Sequence, residues 1–164
     1  MDFALSPKTT EYAAKLQAFM DSEVFPAEAV YHQQREHLIA QGKPHALPAV
    51  VEELKLKAKA LGLWNLFLPH YGHGLSVTDY ATLAEITGWS PDIAPEAINC
   101  AAPDTGNMEL LDMFGNKEQK ERWLQPLLDG QIRSGFAMTE PAVASSDARN
   151  IETQIVKDGD HYVI

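Results

Sequence analysis

The chain has 164 residues, of which 45% are hydrophobic, enough apolar material for one domain with a core and the start of another. Its formal net charge of -10 argues against the basic surface that a nucleic-acid partner requires. A single cysteine, Cys100, excludes an internal disulfide, and we expect a reducing, cytoplasmic location. No apolar run is long enough to predict a membrane span.

Residues 1–130 carry the periodicity of amphipathic helices. Ser6 and Pro7 predict an N-cap and a first helical residue, followed by a helix to about Val24. Because proline inside a helix lacks a hydrogen-bond donor, Pro26 predicts the start of a second helix, which reaches about Ala40.

Similar signals continue along the chain. A helix is predicted from near Pro48, and Gly62 suits the left-handed position that follows its end. The apolar segment 63–68 fits a strand and a buried extended segment equally well. Ser76 predicts the N-cap of a helix that Gly88 ends. Its buried side is expected to comprise Val77, Tyr80, Leu83, Ala84 and Ile86.

The last part of the helical region carries three more signals. Ser90 and Pro91 predict another helix start, and residues 102–107 are expected to form a loop before a helix from Met108 to Phe114. The sequence from Asn116 to Gln119 matches a capping box for a final helix. We therefore predict a mainly α protein whose residues 1–130 form a bundle of about six helices.

From residue 131 onward the pattern changes to that of strands. Residues 132–138 are compatible with one strand, and residues 151–155 alternate between apolar and polar side chains in another. Asp158 and Gly159 predict a hairpin turn into a strand from His161. We predict that residues 131–164 are the first strands of a β-barrel-like domain, incomplete because the chain stops inside the returning strand.

The stretch FAMTEPAVASSD, at residues 136–147, resembles the flavin-binding signature of the acyl-CoA dehydrogenases. Its Val-Ala-Ser-Ser-Asp turn is similar to that of one subgroup, whereas many members have glycines there. Supporting stretches that resemble the same family are GLWNLFLP at 62–69, APDTGN at 102–107 and FGNKEQKERWLQPLLDG at 114–130. The resemblance covers essentially the whole chain and corresponds to the front of that family.

The resemblance implies a flavoprotein oxidoreductase of fatty acid β-oxidation that converts an acyl-CoA to the trans-2-enoyl-CoA with hydride transfer to FAD. It also implies an electron-transferring flavoprotein or similar acceptor and a homodimer or homotetramer. The family's catalytic base lies in a C-terminal domain, so we expect no catalytic residue here and no activity from the 164 residues alone. A non-catalytic helical interaction or regulatory module is the alternative.

Two groups of site residues follow from the resemblance. The flavin contacts are expected from Phe136, Met138, Thr139, Ser145 and Ser146. Ser146 is also expected to contact the CoA portion of the substrate. The cavity for the acyl chain is expected to involve Asn99, Ala101, Asp104 and Thr105, for which capping and loop roles are equally open.

Three other patterns favour structural interpretations. Glu140 lies inside the signature, but the family places its base elsewhere, so we expect a structural role. His70 and His73 have the spacing of a metal pair, but no further ligand follows at a suitable spacing, and we predict no metal site. The sequence from Gly72 to Gly74 lacks the third glycine of a dinucleotide-binding loop.

Overall fold

The computed structural model describes residues 4–69, 71 and 73–164. As predicted, the protein is mainly helical and ends in a short two-stranded sheet. It divides into a helical unit that ends at Ser134 and a second unit, Gly135–Ile164, shortly after the predicted boundary at residue 130. The helices of the described residues form six continuous runs, in agreement with the predicted bundle.

The first run comprises α1 (Pro7–Phe19), a π-helical turn (Met20–Val24) and α2 (Phe25–Ala40). Ser6 caps α1 as predicted, because its side chain accepts a hydrogen bond from the Thr9 amide at 3.0 Å. No break separates α1 from α2. The Phe25 amide instead donates to the carbonyl of Met20, five residues back, and this wider turn accommodates the ring of Pro26.

Four separate helices follow: α3 (Ala49–Ala60), α4 (Val77–Thr87), α5 (Ala94–Ala97) and α6 (Asp104–Phe114). Gly62 has a φ of +70° after α3, and the Leu63 amide reaches back to the Ala58 carbonyl at 2.9 Å, the ending that the sequence predicted. Ser76 caps α4 through a complete capping box with Asp79.

Four details of this region differ from the predictions. Residues 104–107 are helical rather than a loop, since α6 begins at Asp104. The Asp104 carboxylate is held there by Ser134, which lies thirty positions further along the chain. Residues 63–68 form bends and turns rather than a strand, and all of them except the half-buried Trp64 are buried. Val77 is 68% exposed. Ser90 does not cap a helix, since its hydroxyl donates to Glu28 on α2 at 2.9 Å.

The last helical run repeats the construction of the first. It comprises α7 (Lys117–Gln119), a second π-helical turn (Lys120–Leu124) and α8 (Gln125–Leu128). The predicted capping box between Asn116 and Gln119 is present. The Gln125 amide donates to the Lys120 carbonyl, again directly before a proline, Pro126.

The core of the helical unit draws side chains from most of these elements. Burial of each large apolar side chain contributes on the order of 2 kcal/mol, so packing rather than helix propensity dominates the stability. The largest fully buried side chains are Leu16, Phe19, Met20, Val24, Leu63, Leu66, Leu75, Leu83, Ile93, Ile98, Met108 and Leu124. Within the described residues, no helix has the length and apolarity needed to cross a membrane.

Asp79 joins α1 to α4. Its carboxylate accepts hydrogen bonds from the hydroxyl and the amide of Ser76, at 2.6 and 2.9 Å, and from the hydroxyls of Ser6 and Thr9. The hydrogen bond from the Ser76 side chain, followed by that from Thr9, holds the pKa of Asp79 well below its usual range.

In the second unit, β1 (Val156–Asp158) pairs antiparallel with β2 (His161–Val163). Asp158 lies opposite His161, so the turn residues are Gly159 and Asp160, one position later than predicted, and Gly159 has a φ of +59°. The strands predicted at 132–138 and 151–155 are wrong. Alternating side chains define two faces, but a strand also needs a partner for its backbone, and β1 and β2 are the only described strands.

Candidate functional site

The stretch at residues 136–147 that resembles the flavin-binding signature lies in the second unit. It forms an irregular segment followed by a turn. Phe136 is 69% exposed and Met138 is 40% exposed, and the side chains of Thr139 and Ser146 are exposed as well. These four residues therefore present two large apolar groups and two hydroxyls to the surroundings within one short stretch of chain.

Ser145 differs from the other signature residues because it is fully buried. Its hydroxyl oxygen accepts a hydrogen bond from the Glu140 amide at 2.5 Å, and its own amide donates to the Val143 carbonyl at 2.8 Å. Ser145 therefore closes the turn from the inside, and only Ser146 presents its hydroxyl outward.

Glu140 joins the signature to the chain before the hairpin. Its carboxylate accepts hydrogen bonds from the amides of Glu152 and Thr153, at 3.1 and 3.0 Å, and from the Thr153 hydroxyl at 2.5 Å. The hydrogen bond from the Thr153 side chain, supported by the two amides, lowers the pKa of Glu140. A carboxylate held in this way is a poor proton acceptor, which agrees with the structural role expected for it.

Asp147 closes the end of the signature. Its carboxylate accepts from the Arg149 amide at 3.1 Å and pairs with the Arg149 guanidinium at 2.6 Å. The hydrogen bond from the Arg149 side chain lowers the pKa of Asp147 most, and that from the Arg149 amide lowers it further. Because the pair is exposed, it shapes the turn more than it stabilises the fold.

Asn99, expected to line the acyl cavity, is 92% buried, with an exposure of 8%. Its side-chain nitrogen donates to Asn65 Oδ1 at 2.6 Å and to the Leu127 carbonyl at 3.0 Å. Asn65 in turn donates to the Leu128 carbonyl at 2.9 Å. Both asparagines have left-handed backbones, with φ of +58° for Asn65 and +56° for Asn99. Together they fasten the end of the last helical run.

Asp104 is 4% exposed, and both of its oxygens are hydrogen-bonded. Oδ1 accepts from the amide and the hydroxyl of Ser134, at 2.7 and 2.5 Å, and Oδ2 accepts from Arg133 Nε at 2.7 Å. The adjacent Thr105 is half-buried. The structure thus commits the side chains of Asn99 and Asp104 to contacts within the protein.

Sequence reasoning missed the partners of Asp104. Arg133 Nη1 also donates to Glu96 at 2.5 Å, and the same Glu96 oxygen accepts from Lys55 at 2.7 Å. Lys55 and Glu96 are buried, which is rare for charged side chains unless they are paired. These residues come from distant positions, so no local motif could have indicated them.

An open cleft of about 770 Å³ lies over this network in the helical unit. Of the residues expected at the acyl chain, it contains Ala101 but none of Asn99, Asp104 and Thr105. Its other polar and charged lining residues include Tyr31, Arg35, His45, Lys55, Glu96 and Arg133.

The histidine and glycine patterns lie partly outside the described residues, since they include His70 and Gly72. The described member, His73, donates from Nε2 to the Trp64 carbonyl at 2.7 Å and accepts at Nδ1 from the Tyr12 hydroxyl at 2.9 Å. Both ring nitrogens therefore have protein partners. Over the part of the chain that the structure describes, no group of three or more His, Cys, Asp or Glu is placed to hold a metal ion.

The class of protein follows from the helical unit. Residues 6–131 match the family model of the acyl-CoA dehydrogenase N-terminal domain, which covers most of the chain. The chain belongs to the acyl-CoA dehydrogenase family.

Particular relatives sharpen this assignment. The chain is 60% identical over 164 residues to the probable acyl-CoA dehydrogenase FadE2 of Mycobacterium tuberculosis, covering all of this chain and 40% of the relative. It is 50% identical over 165 residues to acyl-CoA dehydrogenase family member 11 of Rattus norvegicus, covering 99% of this chain and 20% of the relative.

A solved structure of an acyl-CoA dehydrogenase family protein from Mycobacterium abscessus matches with a TM-score of 0.87 and 46% identity. The match covers 97% of this chain and 40% of that one. The chain therefore spans 40% or less of the length of these three relatives.

Proposed function

We propose that these 164 residues form the front of an FAD-dependent acyl-CoA dehydrogenase, which oxidises an acyl-CoA thioester to the trans-2-enoyl-CoA. One observation carries the proposal: a helical unit that matches the family's N-terminal domain runs directly into a signature in which the side chains of Phe136, Met138, Thr139 and Ser146 are exposed. The catalytic base is proposed to lie outside these residues, as in the family.

The exposed signature residues fit part of an FAD molecule. Phe136 and Met138 offer apolar surface for a flat aromatic ring system, and the Thr139 hydroxyl can hydrogen-bond to its polar edge. The Ser146 hydroxyl can donate to a phosphate oxygen. Ser145 fits less well as a direct contact because its hydroxyl oxygen lies inside the turn, where it supports the position of Ser146.

FAD, when bound, supplies the hydride acceptor. The residues of this chain are proposed to position it: Phe136 and Met138 exclude water from one side of the ring, and Thr139 and Ser146 set its orientation through hydrogen bonds. Such fixed contacts accelerate a reaction only where they favour the transition state over the bound substrate.

For the substrate, the partly exposed residues are the better candidates. Ala101 lines the cleft and Thr105 is half-buried, whereas Asn99 and Asp104 are buried and hydrogen-bonded. We keep Ser146 as a candidate contact to the CoA portion. An electron-transferring flavoprotein as acceptor, a homo-oligomeric assembly and a cytoplasmic location complete the proposal.

The test is a chimera in which residues 1–164 replace the matching part of M. tuberculosis FadE2, with intact FadE2 as the positive control. We expect a yellow protein whose flavin absorbance bleaches when an acyl-CoA is added without oxygen. A folded chimera that binds no FAD would contradict the proposal and favour a helical interaction module.

The 164 residues expressed alone provide the second arm. We expect weak or no FAD binding and no dehydrogenase activity, since the base and other cofactor contacts are proposed to lie elsewhere. Tight FAD binding with reduction by an acyl-CoA would show instead that these residues suffice.

A further inference from the structure

The cleft of about 770 Å³ in the helical unit has a buried tyrosine in its wall. Tyr31, on α2, is only 6% exposed. No fully buried side-chain polar atom of the described residues lacks a partner, so the Tyr31 hydroxyl, which forms no hydrogen bond with them, is open to the cleft. A tyrosine hydroxyl usually has a hydrogen-bond partner when its ring is buried, and this one is therefore available to a ligand.

Two further side chains with donor groups line the same cleft. Arg35 lies one helical turn after Tyr31 on α2, and residues four apart share a face of a helix. His45 lies in the loop that follows α2. Neither side chain forms a hydrogen bond or an ion pair with a residue that the structure describes. Three donor-bearing side chains thus border one cleft without a partner in the described protein.

The other two cations of the described lining already have carboxylate partners. Lys55 contacts Glu52 at 3.0 Å and Glu96 at 2.7 Å. Arg133, whose side chain is 47% exposed, contacts Glu96 at 2.5 Å and a second carboxylate at 2.7 Å. The charge available to a ligand in this cleft is therefore that of Arg35.

One unpaired carboxylate also lines the cleft. Asp92 is exposed, and it forms no hydrogen bond or ion pair with a described residue, Arg35 included. In an open cleft, water and salt screen its repulsion of an anion, whereas direct hydrogen bonds from Tyr31 and Arg35 act at contact. The donors on α2 therefore decide the ligand, and Asp92 offers a test of the sign of its charge.

We propose that this cleft binds a small molecule through an anionic oxygen group, a carboxylate or a phosphate, which accepts hydrogen bonds from Tyr31, Arg35 and His45. The planar guanidinium can donate two parallel hydrogen bonds to such a group. The cleft has the volume of a small-molecule site. The inference goes beyond the proposed function, because it needs neither FAD nor a dehydrogenase reaction.

The experiment titrates the 164-residue chain with sodium phosphate and, separately, with sodium acetate at constant ionic strength. Side-chain NMR signals of tyrosine and arginine report binding. We expect saturation with a Kd of about 1 mM for the tighter probe, since a few hydrogen bonds to a small ion exceed the cost of association only slightly. The probe with the lower Kd identifies the group as a carboxylate or a phosphate. Acetamide, which has the shape of acetate without its charge, should not saturate.

Substitutions then locate the bound ion. Tyr31→Phe keeps the buried ring and should raise the Kd about tenfold, the factor for losing one hydrogen bond to a charged group. Arg35→Gln should raise it at least as much, and His45→Ala less, because water competes in an exposed loop. Arg122→Gln is the matched control: it removes the same charge from an exposed residue outside the cleft and should leave the Kd unchanged.

Asp92→Asn tests the sign of the ligand's charge. Removing this carboxylate should lower the Kd for the anion, whereas a higher Kd would overturn the inference. It would also be overturned by titrations that saturate with neither probe, by an unchanged Kd in Tyr31→Phe, or by equal losses in Arg35→Gln and Arg122→Gln. If helical circular dichroism shows that Tyr31→Phe is unfolded, Arg35→Gln and its control decide by the same readout. None of these outcomes depends on FAD, so they remain distinct from failure of the proposed function.

Discussion

The two units of this protein are stabilised by different means. The helical unit buries large apolar side chains from almost every element, whereas Ser145 is the one buried side chain in the described residues of Gly135–Ile164. Ile151, Ile155 and Ile164, which would favour burial, are 42%, 68% and 83% exposed. The second unit is held mainly by hydrogen bonds, which are weak in net terms when water competes for them.

This contrast predicts different responses to change. A cooperative core loses free energy whenever one of its side chains is cut back, while a hydrogen-bonded segment opens locally at low cost and leaves the rest of the molecule folded.

The largest difference is expected between two phenylalanines. Phe19 is 1% exposed, so Phe19→Ala should lower the free energy of unfolding by about 4 kcal/mol through lost burial and a cavity. Phe136 is 69% exposed, and Phe136→Ala should change it by less than about 0.5 kcal/mol. Urea unfolding of the 164-residue chain, followed by helical circular dichroism, measures both. Equal changes in the free energy of unfolding for the two variants would refute the difference in stabilisation between the two units.

A second pair tests packing against backbone strain. Gly130 and Gly42 have nearly the same φ, +70° and +72°, but a Cβ on Gly130 would lie 2.8 Å from the Trp64 ring, while Gly42 has open space. We expect Gly130→Ala to cost about 3 kcal/mol, against about 1 kcal/mol for Gly42→Ala. Similar values in urea unfolding would mean that Trp64 moves aside freely.

Two substitutions of Asn99 distinguish the contribution of its hydrogen bonds to stability from that of its left-handed backbone conformation. Asn99→Gly tolerates the φ of +56° but removes the buried amide, which should cost about 2 kcal/mol. Asn99→Ala should cost about 1 kcal/mol more, since alanine is strained in that region. Thermal unfolding of the two variants side by side gives the comparison, and an alanine variant as stable as the glycine variant would exclude the strain.

The smallest effect concerns pH and the second unit. Because the pKa of Glu140 is lowered in the folded state, its stabilising contacts are fully present above the ordinary value of 4.5 and are lost as the pH falls through the lower, folded value. Protection of the Thr153 amide against hydrogen exchange should therefore decrease on acidification, with little change in helical signal.

Thr153→Val supplies the control for this titration. It removes the hydroxyl that contributes most to the shift, so the pKa of Glu140, measured by NMR of its carboxyl carbon, should move back towards 4.5. An unchanged pKa would show that the backbone amides alone set it.

Local rules predicted the parts of the fold that depend on a few neighbouring residues. The caps at Ser6, Ser76 and Asn116 and the glycine ending at Gly62 are formed as expected, because each needs only hydrogen bonds within about one turn. The start of α6 could not be predicted in this way, since Asp104 is held by residues about thirty positions away.

The candidate site shows the same limit. The signature was recognisable as a contiguous stretch, but the inward direction of Ser145 depends on a hydrogen bond across the turn. The pairing of Asn65 with Asn99 and the ion pairs of Arg133 join distant segments, so neither spacing nor composition signals them. The strand predicted from the alternating side chains at 132–138 is absent, because a side-chain pattern alone does not provide the backbone with a hydrogen-bonding partner.

The two π-helical turns also affect how the sequence tolerates length changes. Each helical residue rotates the chain by about 100°, so one residue more or fewer turns everything beyond it by that angle. A turn such as Met20–Val24 already contains one residue beyond the regular count. Deleting Ser22 would therefore restore the regular count and leave Tyr31 on the core face, but the ring of Pro26 would then clash with the carbonyl four residues before it. The extra residue is thus what allows a proline to lie inside one continuous helix.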